Sequence, residues 1–208
     1  MQPLRSLPST SAAVLAPTVL DDPPAGMPGL GPYREVDFRA ARRLRACELL
    51  RGHLVASAAA GPVHAAVRDE VARRLEAWSC RADAALAPPA QELVLADHSV
   101  VTPDVMVRPG AVAAGRSQLP GLVVEVSSPA SVRRDRDVKL RLYAECGVRE
   151  YWLVDPAART VDFLLLARQR FVVANSADGS HRSRAFPGLV FDAVDLWWDV
   201  DQLLPLGA

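Results

Sequence analysis

Cysteine is scarce in this chain: Cys47, Cys80 and Cys146 are three in number and far apart. They exclude a Cys-x-x-Cys zinc or redox site, and an odd, scattered set suits reduced thiols in a cytoplasmic protein. A long hydrophobic run is also missing. The apolar patch from Ala12 to Leu20 is interrupted by Pro17 and falls short of the roughly 18 apolar residues of a membrane span, so neither export nor membrane insertion is expected. No glycine-rich phosphate loop of either common type occurs, which argues against a nucleoside-triphosphate or dinucleotide enzyme. Nor is there an excess of charge: 24 basic residues balance 24 acidic ones. Without a global positive field, any contact with nucleic acid has to be local.

What is present is enough apolar material for one core. Half of the 208 residues are hydrophobic, which fits one well-packed domain plus a tail. Residues 1–32 hold seven of the 17 prolines and three glycines, and are expected to form a disordered tail, leaving 33–208 as the folded domain. From Tyr33 onward, Phe38, Ala41, Leu44 and Leu49 interleaved with Arg39, Arg42, Arg43 and Arg45 predict a first helix, which Gly52 ends. His53 to Ala56 reads as a short strand. Gly61-Pro62 then opens a second helix whose inner face is Val63, Val67, Val71, Leu75 and Trp78.

After Pro88-Pro89, the runs Leu93–Leu95, Val105–Val107 and Leu122–Val126 read as strands, the last apolar on both faces and so central. Ser128-Pro129 begins a helix with apolar positions Val138, Leu142 and Cys146, and Gly147 ends it. Tyr151–Val154, Val161–Leu166 and Phe171–Val173 are further strands, while Asp195–Leu204 is either a short helix or an edge segment. The expectation is an α/β fold: a central mixed β-sheet flanked by helices.

One residue breaks this pattern. Glu125 stands inside Leu122-Val123-Val124-Glu125-Val126, where an ionised side chain costs several kcal/mol, roughly, unless a cation or donors compensate it. Strand alternation puts Glu125 on one face with Val123 and Ser127. Asp104, at the start of the preceding strand, can approach it if the intervening residues form a long hairpin connection. Two carboxylates brought together call for a divalent cation, and an all-oxygen site suits Mg²⁺ or Mn²⁺. Lys139, on the next helix, shares a face with Tyr143, with Asp135 one turn earlier, and can lean back over the site; a solvated helix lysine is the plain alternative.

Pro103-Asp104-Val105, Leu122 to Pro129, Asp135, Lys139, Tyr143, Gly147-Val148 and Glu150 to Asp155 resemble the Uma-type putative restriction endonuclease family, within the PD-(D/E)XK nuclease superfamily. The resemblance runs through most of residues 46–166 and takes in Glu48-Leu49, Gly52, Leu54-Val55 and His64 upstream. It implies a restriction-endonuclease-like core in which Asp104, Glu125 and the Val126 backbone carbonyl bind Mg²⁺ or Mn²⁺. Lys139 is then the catalytic lysine, moved from the strand position that Ser127 fills. Glu48 resembles the acid that the superfamily often places on its first core helix, near the metal; a solvated surface glutamate is the alternative. His64, opening the second helix, could contact a phosphate or a carboxylate, but is expected to be a polar helix-terminus residue without a chemical role. Glu150, Tyr151 and Trp152 read as sheet residues, Asp155 as a turn residue. Arg133, Arg134, Arg136 and Arg141 either line a phosphate-backbone groove or form a solvated face.

The resemblance implies a metal-dependent endonuclease acting on DNA, with RNA as the open alternative substrate and a homodimer as the arrangement that would cut two strands. A reading from another class is a catalytically silent nucleic-acid- or partner-binding module that keeps the fold.

Overall fold

The structure is a computed structural model, describing residues 31–41, 47–57, 60–110 and 119–204. Of the expected tail, residues 1–30 lie outside the described residues. A short helix α1 (Glu35–Ala40) is followed by strands β1 (Cys47–Leu50) and β2 (His53–Ala56) and by the long helix α2 (Pro62–Ser79). Six strands come next along the chain or after one more helix: β3 (Ala84–Leu86), β4 (Leu93–Ala96), β5 (Ser99–Val101), β6 (Val105–Pro109), β7 (Leu122–Val126) and β8 (Glu150–Asp155). The helical run 132–146 lies between β7 and β8. The chain closes with β9 (Thr160–Ala167), β10 (Arg170–Val173), the hairpin β11 (Ser180–Arg182) and β12 (Val190–Asp192), and a C-terminal helix Ala193–Leu203.

A six-stranded sheet in the order β10-β9-β8-β7-β6-β3 forms the centre. It is mixed: β7 runs parallel to β8, and the other neighbours are antiparallel. The parallel pair needs a crossover, and the 132–146 run supplies it. Every residue of β7 is buried, as its two-sided apolar run requires.

Alternation along β6 and β7 sorts the two faces. Val105, Val107, Leu122, Val124 and Val126 pack with Val67, Val71 and Leu75 of α2 and with Leu196 and Val200 of the C-terminal helix. Met106 and Val123 point to the opposite face, where they meet Leu142, Tyr143 and Tyr151. Leu50, Val55, Leu93 and Val101 join that second cluster from a smaller four-stranded sheet, order β2-β1-β5-β4. Burying each such aliphatic side chain contributes about 1.5–3 kcal/mol.

The structure corrects the expected first helix. It ends at Ala40, and Cys47–Leu50 is a strand paired residue for residue with β2, from Cys47↔Ala56 to Leu50↔His53. The cause is the tight reversal at Arg51 and Gly52, both at positive φ (51° and 84°), which favours a two-residue hairpin. Gly52 is required there on a second count, since a Cβ would lie 2.6 Å from the Pro32 Cβ. Glu48 therefore sits on a strand, not on a helix.

Four three-residue strands, β3, β5, β11 and β12, also escaped the sequence reading. The end of the chain resolves as a helix, whose start is capped by the Asp192 carboxylate accepting from the Val194 and Asp195 amides. Among the described residues no helix is long and apolar enough to cross a membrane.

Candidate active site

The register of β6 and β7 builds the site. Val105 pairs with Val124, so one step outward Asp104 faces Glu125. Asp104 is held there by the Val126 amide, which donates to its Oδ2 at 2.8 Å. Glu125 points to the face covered by the 132–146 run, whose middle, Asp135–Lys139, widens into a π-turn. From it Lys139 reaches back, placing its Nζ 2.9 Å from Glu125 Oε1. The Tyr143 hydroxyl donates to the same oxygen at 2.7 Å. The helix stops at Gly147, at φ 87°, where the Gly147 and Val148 amides close on the Ala144 and Tyr143 carbonyls.

Glu48 completes the cluster from the smaller sheet. Its Oε1 accepts from the Thr102 amide at 2.9 Å and from Lys139 Nζ at 2.9 Å. Arg134, buried rather than solvated, lies with its Nε 3.6 Å from Glu48 Oε2 and 3.9 Å from Asp135 Oδ1, and donates to the Ala56 carbonyl. His64, at the third position of α2, brings Nε2 to 3.4 Å from Asp104 Oδ2. Glu48, His64, Asp104, Glu125, Arg134, Asp135 and Lys139 line one cleft of about 490 Å³, with Tyr143 behind it.

The structure thus brings Asp104, Glu125, Lys139, Glu48 and Val126 together, and adds His64 and Arg134. Arg134 leaves no trace in a 3.6-residue pattern, because five positions from Lys139 it does not share its face in a regular α-helix. His64 lies in the first turn of its helix, as expected, and there contacts the Asp104 carboxylate. Of the arginines on this run, Arg134 lines the cleft, while Arg136 and Arg141 stay on an exposed face, paired with Asp162 at 2.7 Å and with Asp137 at 2.5 Å. Tyr151 and Trp152 are core residues, and Asp155 accepts the Ala157 and Ala158 amides in a turn.

Burial pushes the Glu125 carboxyl up to about 8, and the nearby Asp135, Asp104 and Glu48 charges add to it, although Lys139 opposes them. Burial alone would lower Lys139, but Glu125, Glu48 and Asp135 outweigh it and hold the ammonium protonated. Asp135 is raised, again chiefly by burial. His64 is raised by its contact with Asp104, against burial. Lys139 is therefore a donor and a charge, not a base.

The donor set fits a divalent cation in chemistry and in charge. Four carboxyl groups line the cleft against two buried cations, Lys139 and Arg134; fully ionised, and with His64 neutral, they carry a formal excess of two negative charges, and Arg68 at the rim is spent on Asp69. Glu48 Oε2 and Asp135 Oδ1 are buried without a hydrogen-bond partner, a costly condition that a cation relieves. Among the described residues no three His, Cys, Asp or Glu ligands already converge at metal-binding spacing. The physical reason is that Lys139 stands between Glu48 and Glu125.

Residues 33–195 match the model of the Uma2 family, described as "Putative restriction endonuclease". The chain belongs to the Uma2 family. A crystal structure described as a putative nuclease belonging to DUF820 from Anabaena variabilis shares the fold, with a TM-score of 0.62 at 17% identity, covering 74% of this chain and 90% of that one. The fold is the restriction-endonuclease-like α/β fold expected from the sequence. No curated protein matches the chain.

Proposed function

We propose that this Uma2 family member is a metal-dependent endonuclease that hydrolyses phosphodiester bonds in DNA, using Mg²⁺ or Mn²⁺. The observation that carries the reading is the meeting of Asp104 and Glu125 across β6 and β7 with the Lys139 ammonium 2.9 Å from Glu125. Asp104, Glu125 and the Val126 carbonyl would hold the ion, with Glu48 beside them. When bound, the ion supplies a water of lowered pKa and a positive charge for the phosphoryl oxygens.

The chain's own residues do the rest. Lys139 keeps its proton between carboxylates and can donate to an attacking water or to a phosphoryl oxygen. Tyr143 fixes Glu125 Oε1, and the Val126 amide fixes Asp104, so both carboxylates are oriented before substrate arrives. Arg134 offers a second buried cation facing the cleft. A cytoplasmic location with reduced thiols, and a homodimer where both strands are cut, belong to the same proposal. Plasmid nicking by purified protein in Mg²⁺ or Mn²⁺ tests it: Glu125→Gln should abolish both metal binding and cleavage, and a variant that nicks as fast as wild type overturns the assignment.

A silent nucleic-acid- or partner-binding module remains the second reading; the pairing of Arg136 and Arg141 within the protein, which draws those two cations away from a phosphate backbone, favours its partner-binding form. Calorimetric Mg²⁺ titration with and without Asp104→Ala separates the two readings.

A further inference from the structure

Resting on the reading of Asp104, Glu125 and Val126 as a divalent-cation site, we propose that His64 is a further ligand of that cation and biases the site toward Mn²⁺ over Mg²⁺. His64 touches the same two groups that β6 and β7 present. Its Nε2 is 3.4 Å from Asp104 Oδ2, and the ring also lies within hydrogen-bonding reach of the Val126 backbone carbonyl.

Neither contact explains the ring's position by itself. A charge-assisted bond between imidazolium and carboxylate closes to about 2.7–2.9 Å, and this one is longer. Nδ1 is buried with no hydrogen-bond partner. A ring with one orphaned nitrogen, a long contact to Asp104 and a second to the Val126 carbonyl, turned into a cleft lined by four carboxyl groups, is placed as a ligand is placed. It sits on the first turn of α2, a helix anchored against the sheet by Val67, Val71 and Leu75, so its backbone is fixed without help from the cleft.

The metal preference follows from donor type. Carboxylate and carbonyl oxygens serve Mg²⁺ and Mn²⁺ alike, whereas Mg²⁺ takes imidazole nitrogen poorly and transition ions accept it. One nitrogen among oxygens is therefore the feature of this site that can discriminate between the two ions.

The experiment uses the full chain with Mn²⁺ and Mg²⁺ as separate probes. Electron spin-echo modulation of the Mn²⁺-bound wild type should show nitrogen coupling. Calorimetry should show His64→Ala weakening Mn²⁺ by about 10–100-fold, the range for a lost ligand or its support, with a smaller loss for Mg²⁺. His64→Gln, with an oxygen donor, should recover Mg²⁺ binding before Mn²⁺ binding. Wild-type protein that binds Mn²⁺ without nitrogen coupling overturns the inference, and needs no variant to fold. So does His64→Ala that binds Mn²⁺ as wild type does. If Asp104→Ala abolishes binding in that case, the cation site stands and only the role of His64 falls. Wild-type protein that binds neither ion overturns both.

Discussion

Lys139, on the crossover helix, stands 2.9 Å from Glu48 on the smaller sheet. This ammonium links the two sheets, because it also holds Glu125 on the central strand. Both ends are buried, at 2% exposure each. Lys139→Met leaves three carboxylates facing one another without it, and removing one partner of a buried pair costs about 3–5 kcal/mol. Denaturant unfolding should show that loss, and adding Glu48→Gln to Lys139→Met should return part of it. Equal midpoints for wild type and Lys139→Met would remove the pair from any structural role.

Glu125 makes the metal-free protein pH-sensitive. Its pKa is about 8 in the fold against 4.5 ordinarily, so the folded state binds the proton more tightly than the unfolded chain. Between those values the native state holds more protons, and stability falls as pH rises. Urea titrations in chelator should show wild type losing stability across that window, and Glu125→Gln should flatten this part of the curve. A difference between the two proteins that is constant with pH would contradict the assignment.

Glu150 has the opposite sign. Burial alone would raise its pKa, but His181, Ser183 and the Ala185 amide surround the carboxylate with donors and hold it below the ordinary value. Such a group stabilises the fold above its unfolded pKa, and the contribution disappears as pH falls through the lower folded value. Glu150→Gln should therefore destabilise the protein near neutrality, with the gap to wild type closing in acid below pH of about 4. Thermal melts of both proteins from acid to neutral pH check it.

Asp192 decides between helix and edge strand at the C-terminus. Its carboxylate accepts from Val194 at 2.8 Å and from Asp195 at 3.1 Å, which is a helix N-cap. Asp192→Ala should cost about 1 kcal/mol, and Asp192→Asn much less. Denaturant midpoints of the three proteins give the answer, and no loss in the alanine variant would speak against the helix.

The central site was legible because Glu125 violates its surroundings. A charge in an otherwise apolar strand demands a partner, and two-residue alternation tells which face it takes. Asp104 followed from the neighbouring strand, and Lys139 from its place on the helix that follows Glu125. Glu48 was read on the wrong element, since Phe38 and Ala41 begin a helical spacing that Arg51 and Gly52 override only through backbone conformation. The strands at Ala84–Leu86, Ser99–Val101, Ser180–Arg182 and Val190–Asp192 are too short to show any period. The partners of Glu150 were hidden for another reason: His181, Ser183 and Ala185 lie more than thirty positions downstream, and nothing local announces them.

The π-turn at Asp135–Lys139 sets the angular phase of everything after it. In a regular α-helix each residue advances by about 100°, so one residue removed from this turn would swing Lys139 off the cleft or drag Leu142 and Tyr143 out of the core. Substitution on the exposed side, at Arg136 or Asp137, leaves that phase untouched, whereas a single-codon deletion does not. The segment should therefore tolerate changes of identity on its exposed side and resist changes of length, and its spacing from Glu125 is itself part of the geometry of the cleft.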